Sequence, residues 1–316
     1  MTLGDFLKSI FSISDYGETH HILRICGLKI KFAKREYVLK KKESVYYYYK
    51  NNNIDITTIP PAEGQMRDIQ LANLELLKEF NRVCRKENID YWLDYGSALG
   101  AVRHKGYIPW DDDIDIGMIR EDYEKIIDIF NRSTINDKLV AEYNRNPNNS
   151  VIIKIKHRDS QYVFIDIFPF DLCSKELVGK NPIKTTSKIK KLCKKLQKEH
   201  KNSTLEELLK AYGKLRESVL GSVKGTDNSY LVRGLDFCGF PKDWFYKYDT
   251  VYPLTKIEFE GGEYNCMNNN DEFLRSMYGN YMTYPKKIGV GHTSCITIDD
   301  KDLEIIKNIA AEKELV

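Results

Sequence analysis

The sequence predicts an α+β fold: a mixed β-sheet core with packed helices, a helical insertion and a small N-terminal β-hairpin appendage. Two patterns predict it. Apolar residues recur at helical spacing in several long segments, and short strand-like runs are mixed among those segments. A chain of 316 residues is also long enough to bury a sizeable core without disulfides or structural metals.

Residues 1–60 read as an appendage. Phe6, Ile10 and Phe11 share one face if this end forms a short helix. His21 to Phe32 reads as two short strands around Cys26-Gly27, with Leu28, Ile30 and Phe32 alternating against Lys29 and Lys31. Lys40 to Lys42 are followed by Tyr46 to Tyr49 and Lys50. Basic residues beside tyrosines suit an anionic membrane surface, and equally a solvated hairpin packed on the main domain. Asn51 to Pro61 is turn-rich and reads as a linker.

The main domain is assigned to residues 61–316. Met66, Ile69, Leu74, Leu77, Phe80 and Cys84 mark an amphipathic helix that ends near Glu87-Asn88. Ile89 to Leu93 is a short strand, broken at Gly96. Ile114 to Met118 is a second strand, and Arg120 to Arg132 a helix burying Tyr123, Ile126, Ile127 and Phe130. Val151 to Lys156 and Tyr162 to Phe168 are two further strands. A helical pair is inserted at about 181–225. Lys184 to Lys201 is strongly basic with a stripe of Ile189, Leu192 and Leu196; its basic face is either plain solvated surface or a ligand or membrane patch. Ser203 and Glu206 fit a capping box before Leu205, Leu208, Leu209, Tyr212 and Leu215. The tail contains a strand near Ile257 to Phe259, a helix at Asp271 to Tyr278 and a last helix from Asp302.

Composition excludes several classes. Lys and Arg total 49 against 46 Asp and Glu, so nothing points to a nucleic-acid partner. The seven cysteines form no CxxC, which argues against a zinc site or a disulfide framework and for free thiols in a reducing cytoplasm. No run of about 18 apolar residues is present, and the N-terminus lacks the basic flank of a signal peptide. The expected location is cytoplasmic, or peripheral on the inner membrane face.

One stretch, Tyr95 to Gly117, carries most of the chemistry. Asp113 and Asp115 flank Ile114, so on a strand both carboxylates point to one face while Ile114 and Ile116 anchor the other. A divalent cation, Mg2+ or Mn2+, removes the repulsion between them. Asp111 shares their parity and can complete the shell or act as a base; Asp112 does not share it. Gly96-Ser97 allows close backbone approach to a phosphate. Asp166, flanked by apolar residues in Val163 to Phe168, is a buried carboxylate in need of a partner. Gly-Ser, then DxD, then a lone Asp on a neighbouring strand is the carboxylate pattern of the nucleotidyltransferase fold, in which two metals can activate a hydroxyl and stabilise a leaving oxygen. Arg103, His104 and Lys105 lie between the motifs; Arg103 can fork onto a phosphate, and His104 can act as base or phosphate donor. Trp110 either stacks on a base or choline-like group or wedges the loop into the core. Lys154, on the strand before Asp166, is added to the donor-binding set.

The run from Trp92 to Tyr123 resembles the LicD family, which is similar to the fukutin-related proteins within the nucleotidyltransferase-fold superfamily. The likeness continues at Phe164 to Asp171, Pro253 to Phe259, Asp271 to Pro285 and His292, about residues 65–300 in all. The resemblance implies transfer of a substituted phosphate, phosphocholine above all, from a CDP-linked donor to a sugar hydroxyl of a cell-surface glycan or glycolipid, with CMP leaving. It implies that Asp113, Asp115 and Asp166 hold metal, that Gly96 and Ser97 face the donor phosphates, and that Arg103 fills the family's basic position. Asn280 departs from the Asp common in the family after Tyr278-Gly279. Two other readings stay open: a DxD glycosyltransferase using a nucleotide sugar, and a membrane-associated scaffold without catalysis.

Overall fold

The computed structural model describes residues 11–16, 20–25, 28–33, 45–132, 137–221, 223, 229–237, 245–286, 288 and 298–311. Strands β1 (Phe11–Tyr16), β2 (His20–Ile25) and β3 (Leu28–Ala33) form a separate antiparallel sheet in that order. Phe11 is therefore in a strand, not a helix; Phe6 and Ile10 lie outside the described residues. Helix α1 (Val45–Asn51) carries the tyrosine run. After a short turn at Ile56–Thr58 comes α2 (Gly64–Glu87), which Asn88 ends in the left-handed conformation, its N–H donating to the Cys84 carbonyl. Ile56 and Ile59, within the segment that the sequence assigns to the appendage and linker, are buried in the main core.

The central sheet follows. β4 (Trp92–Leu93) leads to α3 (Tyr95–His104), β5 (Ile114–Ile119) and α4 (Arg120–Phe130). Next come β6 (Leu139–Arg145), β7 (Val151–His157) and the long β8 (Phe164–Cys173). The insertion between β8 and β9 holds α5 (Lys175–Val178), α6 (Pro182–Glu199) and α7 (Leu205–Leu220). The chain returns through β9 (Tyr230–Arg233), β10 (Phe245–Lys247), α8 (Tyr248–Val251), the hairpin β11 (Thr255–Phe259) and β12 (Gly262–Cys266), α9 (Asn270–Tyr278) and α10 (Asp300–Ala311).

Seven strands form a mixed sheet with helices packed on it, matching a nucleotidyltransferase-like fold. β8 organises it: it pairs parallel with β5, antiparallel with β7 over its first half, and antiparallel with β9 over its second. Register puts Asp115 opposite Asp166 and Lys154 opposite Asp166, so three charged residues form one row across β5, β8 and β7. Alternate residues Ile114, Ile116, Met118, Ile165, Ile167, Ile153 and Ile155 are wholly buried, which anchors that row from the other face. Gly117, opposite Trp92, leaves room for the indole to lie across β5; a Cβ there would run into the ring.

Some boundaries and stripes differ from the sequence reading. The Gly96 break is the first turn of α3, because Asp94 caps it, its side chain accepting from the Tyr95 N–H at 2.8 Å. The capping box of α7 is Thr204 with Glu207, one residue later than Ser203 with Glu206. On α6 Leu192 is exposed and Cys193 takes the buried position beside Ile189 and Leu196. On α4 Ile129 is buried and Ile127 only partly so.

A buried ion pair ties α3 to the sheet. Arg233 of β9 makes two hydrogen bonds to Asp94, at 2.7 and 3.0 Å, with both side chains at most 1% exposed. The guanidinium lies over the Tyr95 ring at 3.7 Å and the Phe170 ring at 4.7 Å. Arg233→Met strands the Asp94 charge in this interior, so urea unfolding should show a loss of about 3–5 kcal/mol. The double variant with Asp94→Leu should recover most of that loss.

Candidate active site

The site is assembled where α3, the acidic loop before β5, and β8 meet. The first turn of α3 grips β5: the Gly96 N–H donates to Asp115 Oδ2 at 3.2 Å, and Ser97 Oγ accepts from the Asp115 N–H at 2.9 Å. The Asp94 N–H donates to the Asp115 carbonyl at 2.9 Å. At position 96 a Cβ would run into the Asp111 carboxylate and force it to shift, so glycine keeps that carboxylate in place. The acidic loop is held from behind by α2. Gln70 Nε2 donates to the Asp111 carbonyl and Asn73 Nδ2 to the Asp112 carbonyl, each at 2.8 Å. Asn73 Oδ1 also accepts from the Phe164 N–H at 2.8 Å, which joins the loop to the start of β8.

Asp113, Asp115 and Asp166 offer carboxylate oxygens that all lie within 4.8 Å of one another. Asp111, Asp112 and Asp113 form a second such group. Burial, followed by repulsion from Asp113, Asp111, Asp166 and Asp94, pushes the Asp115 carboxyl well above the usual carboxylate range. Lys154 Nζ lies 2.5 Å from Asp166 Oδ1 and supplies a compensating charge.

The cluster opens into a cavity of about 870 Å³, within the range of small-molecule sites. Gly96, Asp111, Asp113, Asp115, Lys154 and Asp166 line it. Arg103 and Trp110 line it too, with Tyr281 and Tyr284 beside them. The Arg103 guanidinium donates to the Tyr281 carbonyl at 2.8 Å and lies 5.8 Å from the Trp110 ring. Burial lowers its pKa to about 10, so it stays cationic at neutral pH while being poorly hydrated, a state that favours an anionic ligand.

The other sequence candidates are placed differently. Ser97 is buried and braces β5, and it is not among the cavity-lining residues. His104 also lies off the cavity wall; its Nε2 accepts from Arg103 Nε at 2.9 Å, so the imidazole supports the guanidinium. Lys105 sits in the left-handed cap of α3, is exposed, and pairs with Glu258 at 3.3 Å. Trp110 does two things: it lines the cavity and packs 5.1 Å from the Tyr46 ring. Asn280 lines the cavity, and His292 lies outside the described residues.

Sequence reading missed the supports. Gln70 and Asn73 are polar residues on the buried side of an amphipathic helix, and buried amides require partners; that was the available signal. It also missed α1 as a brace across the rim of the cavity. Tyr46 Oη donates to the Pro109 carbonyl at 2.7 Å, while Lys50 Nζ donates to the Pro285 and Lys286 carbonyls at 2.6 and 2.7 Å. The helix thus bridges two lips of the cavity.

Comparison with known proteins places this geometry. The LicD/FKTN/FKRP nucleotidyltransferase domain matches residues 88–198, which include every carboxylate of the cluster. Lipopolysaccharide cholinephosphotransferase LicD of Haemophilus influenzae is 30% identical over 248 residues, covering 70% of this chain and 92% of that protein. The chain belongs to the LicD family. Human ribitol 5-phosphate transferase FKRP is 31% identical to this LicD-family chain over 91 residues, which is 28% of this chain and 18% of that protein. The carboxylates form a candidate metal-binding cluster, and their chemistry fits a divalent cation. Three carboxylates converge, the donors are all oxygen, and the ionisation of buried Asp115 is opposed by its neighbours until a cation offsets them.

Two outcomes follow for this LicD-family site. Burial, then the Arg103 charge, lowers the His104 pKa from 6.5 to about 4. Between those values the unfolded chain binds more protons, so the contribution of His104 to stability is complete above about pH 6.5 and declines as pH falls toward 4. Urea unfolding at pH 7.5 and 5 should show wild type losing more stability on acidification than His104→Asn. For the cavity lips, Tyr46→Phe combined with Lys50→Ala should raise the donor KM by roughly five- to tenfold with kcat little changed. Steady-state kinetics checks it.

Proposed function

We propose that this chain transfers a substituted phosphate, phosphocholine or a polyol phosphate, from a CDP-linked donor to a sugar hydroxyl of a cell-surface glycan or its precursor, releasing CMP. The observation that carries the reading is the convergence of Asp113, Asp115 and Asp166 on a cavity that also holds the desolvated Arg103. The name of the Haemophilus relative, a cholinephosphotransferase, supports phosphocholine, and that of human FKRP supports ribitol phosphate. A glycosyltransferase would need the DxD pair but not the third carboxylate across a parallel strand.

Asp113, Asp115 and Asp166 would hold Mg2+ or Mn2+, which supplies Lewis-acid neutralisation of the diphosphate charge. The chain's own residues position the rest. Arg103 takes anionic oxygens of the donor, and Trp110 offers a ring face at the same end of the cavity. Asp111 lines the cavity from the acidic loop and receives the proton of the acceptor hydroxyl. The acceptor oxygen bonds to the phosphorus bearing the head group, the bond to CMP breaks, and CMP leaves with that electron pair. Positioning and charge stabilisation carry most of such a transfer. The acceptor belongs to the lipopolysaccharide or teichoic-acid class. No helix among the described residues is long and apolar enough to cross a membrane. In this reading a glycolipid acceptor would be met by peripheral contact at the inner membrane face.

CMP release from CDP-choline, CDP-ribitol and CDP-glycerol, with UDP- and GDP-sugars as controls and with or without Mg2+ or Mn2+, tests the reading. Cation-dependent CMP release from one CDP donor is expected, and Asp115→Asn should abolish it while circular dichroism stays unchanged. Release of UDP or GDP would instead make the protein a glycosyltransferase.

A further inference from the structure

We propose that Lys154 is an exchangeable counter-ion: its ammonium neutralises the carboxylate cluster when no divalent cation is there, gives way when one binds, and so sets the cation affinity of the centre. The inference rests on the carboxylate centre of the proposed function and assigns a role to a residue outside the ligand set. Register carries it first. Lys154 on β7 stands directly opposite Asp166 on β8, which in turn stands opposite Asp115 on β5, so backbone pairing brings the lysine to the row that carries the cluster. Distance carries it second: Nζ is 2.5 Å from Asp166 Oδ1, with the two side chains only 16% and 13% exposed. The ammonium also lies over the Phe164 ring, 3.7 Å from its centroid.

A cation held by Asp166 must share that carboxylate with the ammonium or displace it. Like charges this close, at a site largely shielded from water, oppose each other strongly. A lysine suits exchange because its charge is compact and its stem flexible, whereas an arginine would hold the carboxylate in a fixed fork. The displaced ammonium has one obvious direction to move. Glu142, its cross-strand neighbour on β6, is already engaged by Lys156. Lys154 itself lines the cavity, where anionic oxygens of the donor would receive it. Cation and donor would then bind cooperatively, each favouring the displaced position of the same side chain.

The test uses the full chain and Mn2+ alone. Calorimetric titration at one fixed pH compares wild type, Lys154→Gln, Lys154→Arg and, to mark the site, Asp115→Asn. Lys154→Gln should bind Mn2+ about tenfold more tightly than wild type, because the competing charge is gone. Lys154→Arg should not gain affinity, and Asp115→Asn should lose binding. Affinity in Lys154→Gln equal to or weaker than wild type overturns the proposal. A measurement on wild type stands independently of any variant's folding. Acetylation of Lys154 by acetic anhydride, read by mass spectrometry, should rise several-fold on adding Mn2+; unchanged or reduced labelling also overturns it. Failure here leaves cation-dependent CMP release intact, whereas failure of the transferase reading leaves the Mn2+ affinity shift in place.

Discussion

Mutual repulsion among three carboxylates is the constraint on which the rest of this structure depends. Asp113, Asp115 and Asp166 would separate in a flexible chain. Here they are held within 4.8 Å because a parallel pair, β5 with β8, sets Asp115 against Asp166 through backbone hydrogen bonds that the side-chain charges cannot easily break. The wholly buried isoleucines on the opposite face make slippage of that register costly, since a shift by one residue would put the carboxylates into the core. Lys154 offsets part of the repulsion from the third strand of the row.

The surrounding elements act as braces for that row. The Asp94 and Arg233 pair fastens the start of α3 to β9, and α3 in turn clasps Asp115 by its N–H and its side chain. Gln70 and Asn73 tie the acidic loop to α2, so the same helix that forms the core wall also sets the height of Asp111 and Asp112. The cavity lip is stabilised separately. Tyr46 and Lys50 come from a helix that precedes the central sheet in the chain, yet they contact Pro109 on one side and Pro285 and Lys286 on the other. A rigid floor and a bridged rim suit a reaction governed by positioning.

Much of the floor was legible in the sequence because its signals are local. The alternation around Asp113-Ile114-Asp115, and an aspartate set among apolar residues at 164–168, mark charged residues forced onto buried strands. The supports were less legible. Lys105 and His104 sit as close to the motif as Arg103 does, and nothing in their order says which side chain enters the cavity; helix phase and the left-handed cap at Lys105 decide it. The four-residue β9 and three-residue β10 are too short for a periodic signal, yet β9 carries Arg233. The tyrosine run, for which a solvated hairpin was one reading, is a helix; the partners that seat it lie 63 and some 235 residues away, beyond the reach of a local pattern.

What the sequence by itself determined, then, was the identity of the carboxylates, the strands that carry them and the α+β class, since alternation and burial are properties of neighbouring residues. Only the tertiary structure decided which basic and aromatic side chains face them. Those choices depend on contacts between segments far apart in the chain, where pairing register, helix phase and the need to satisfy buried polar groups act together.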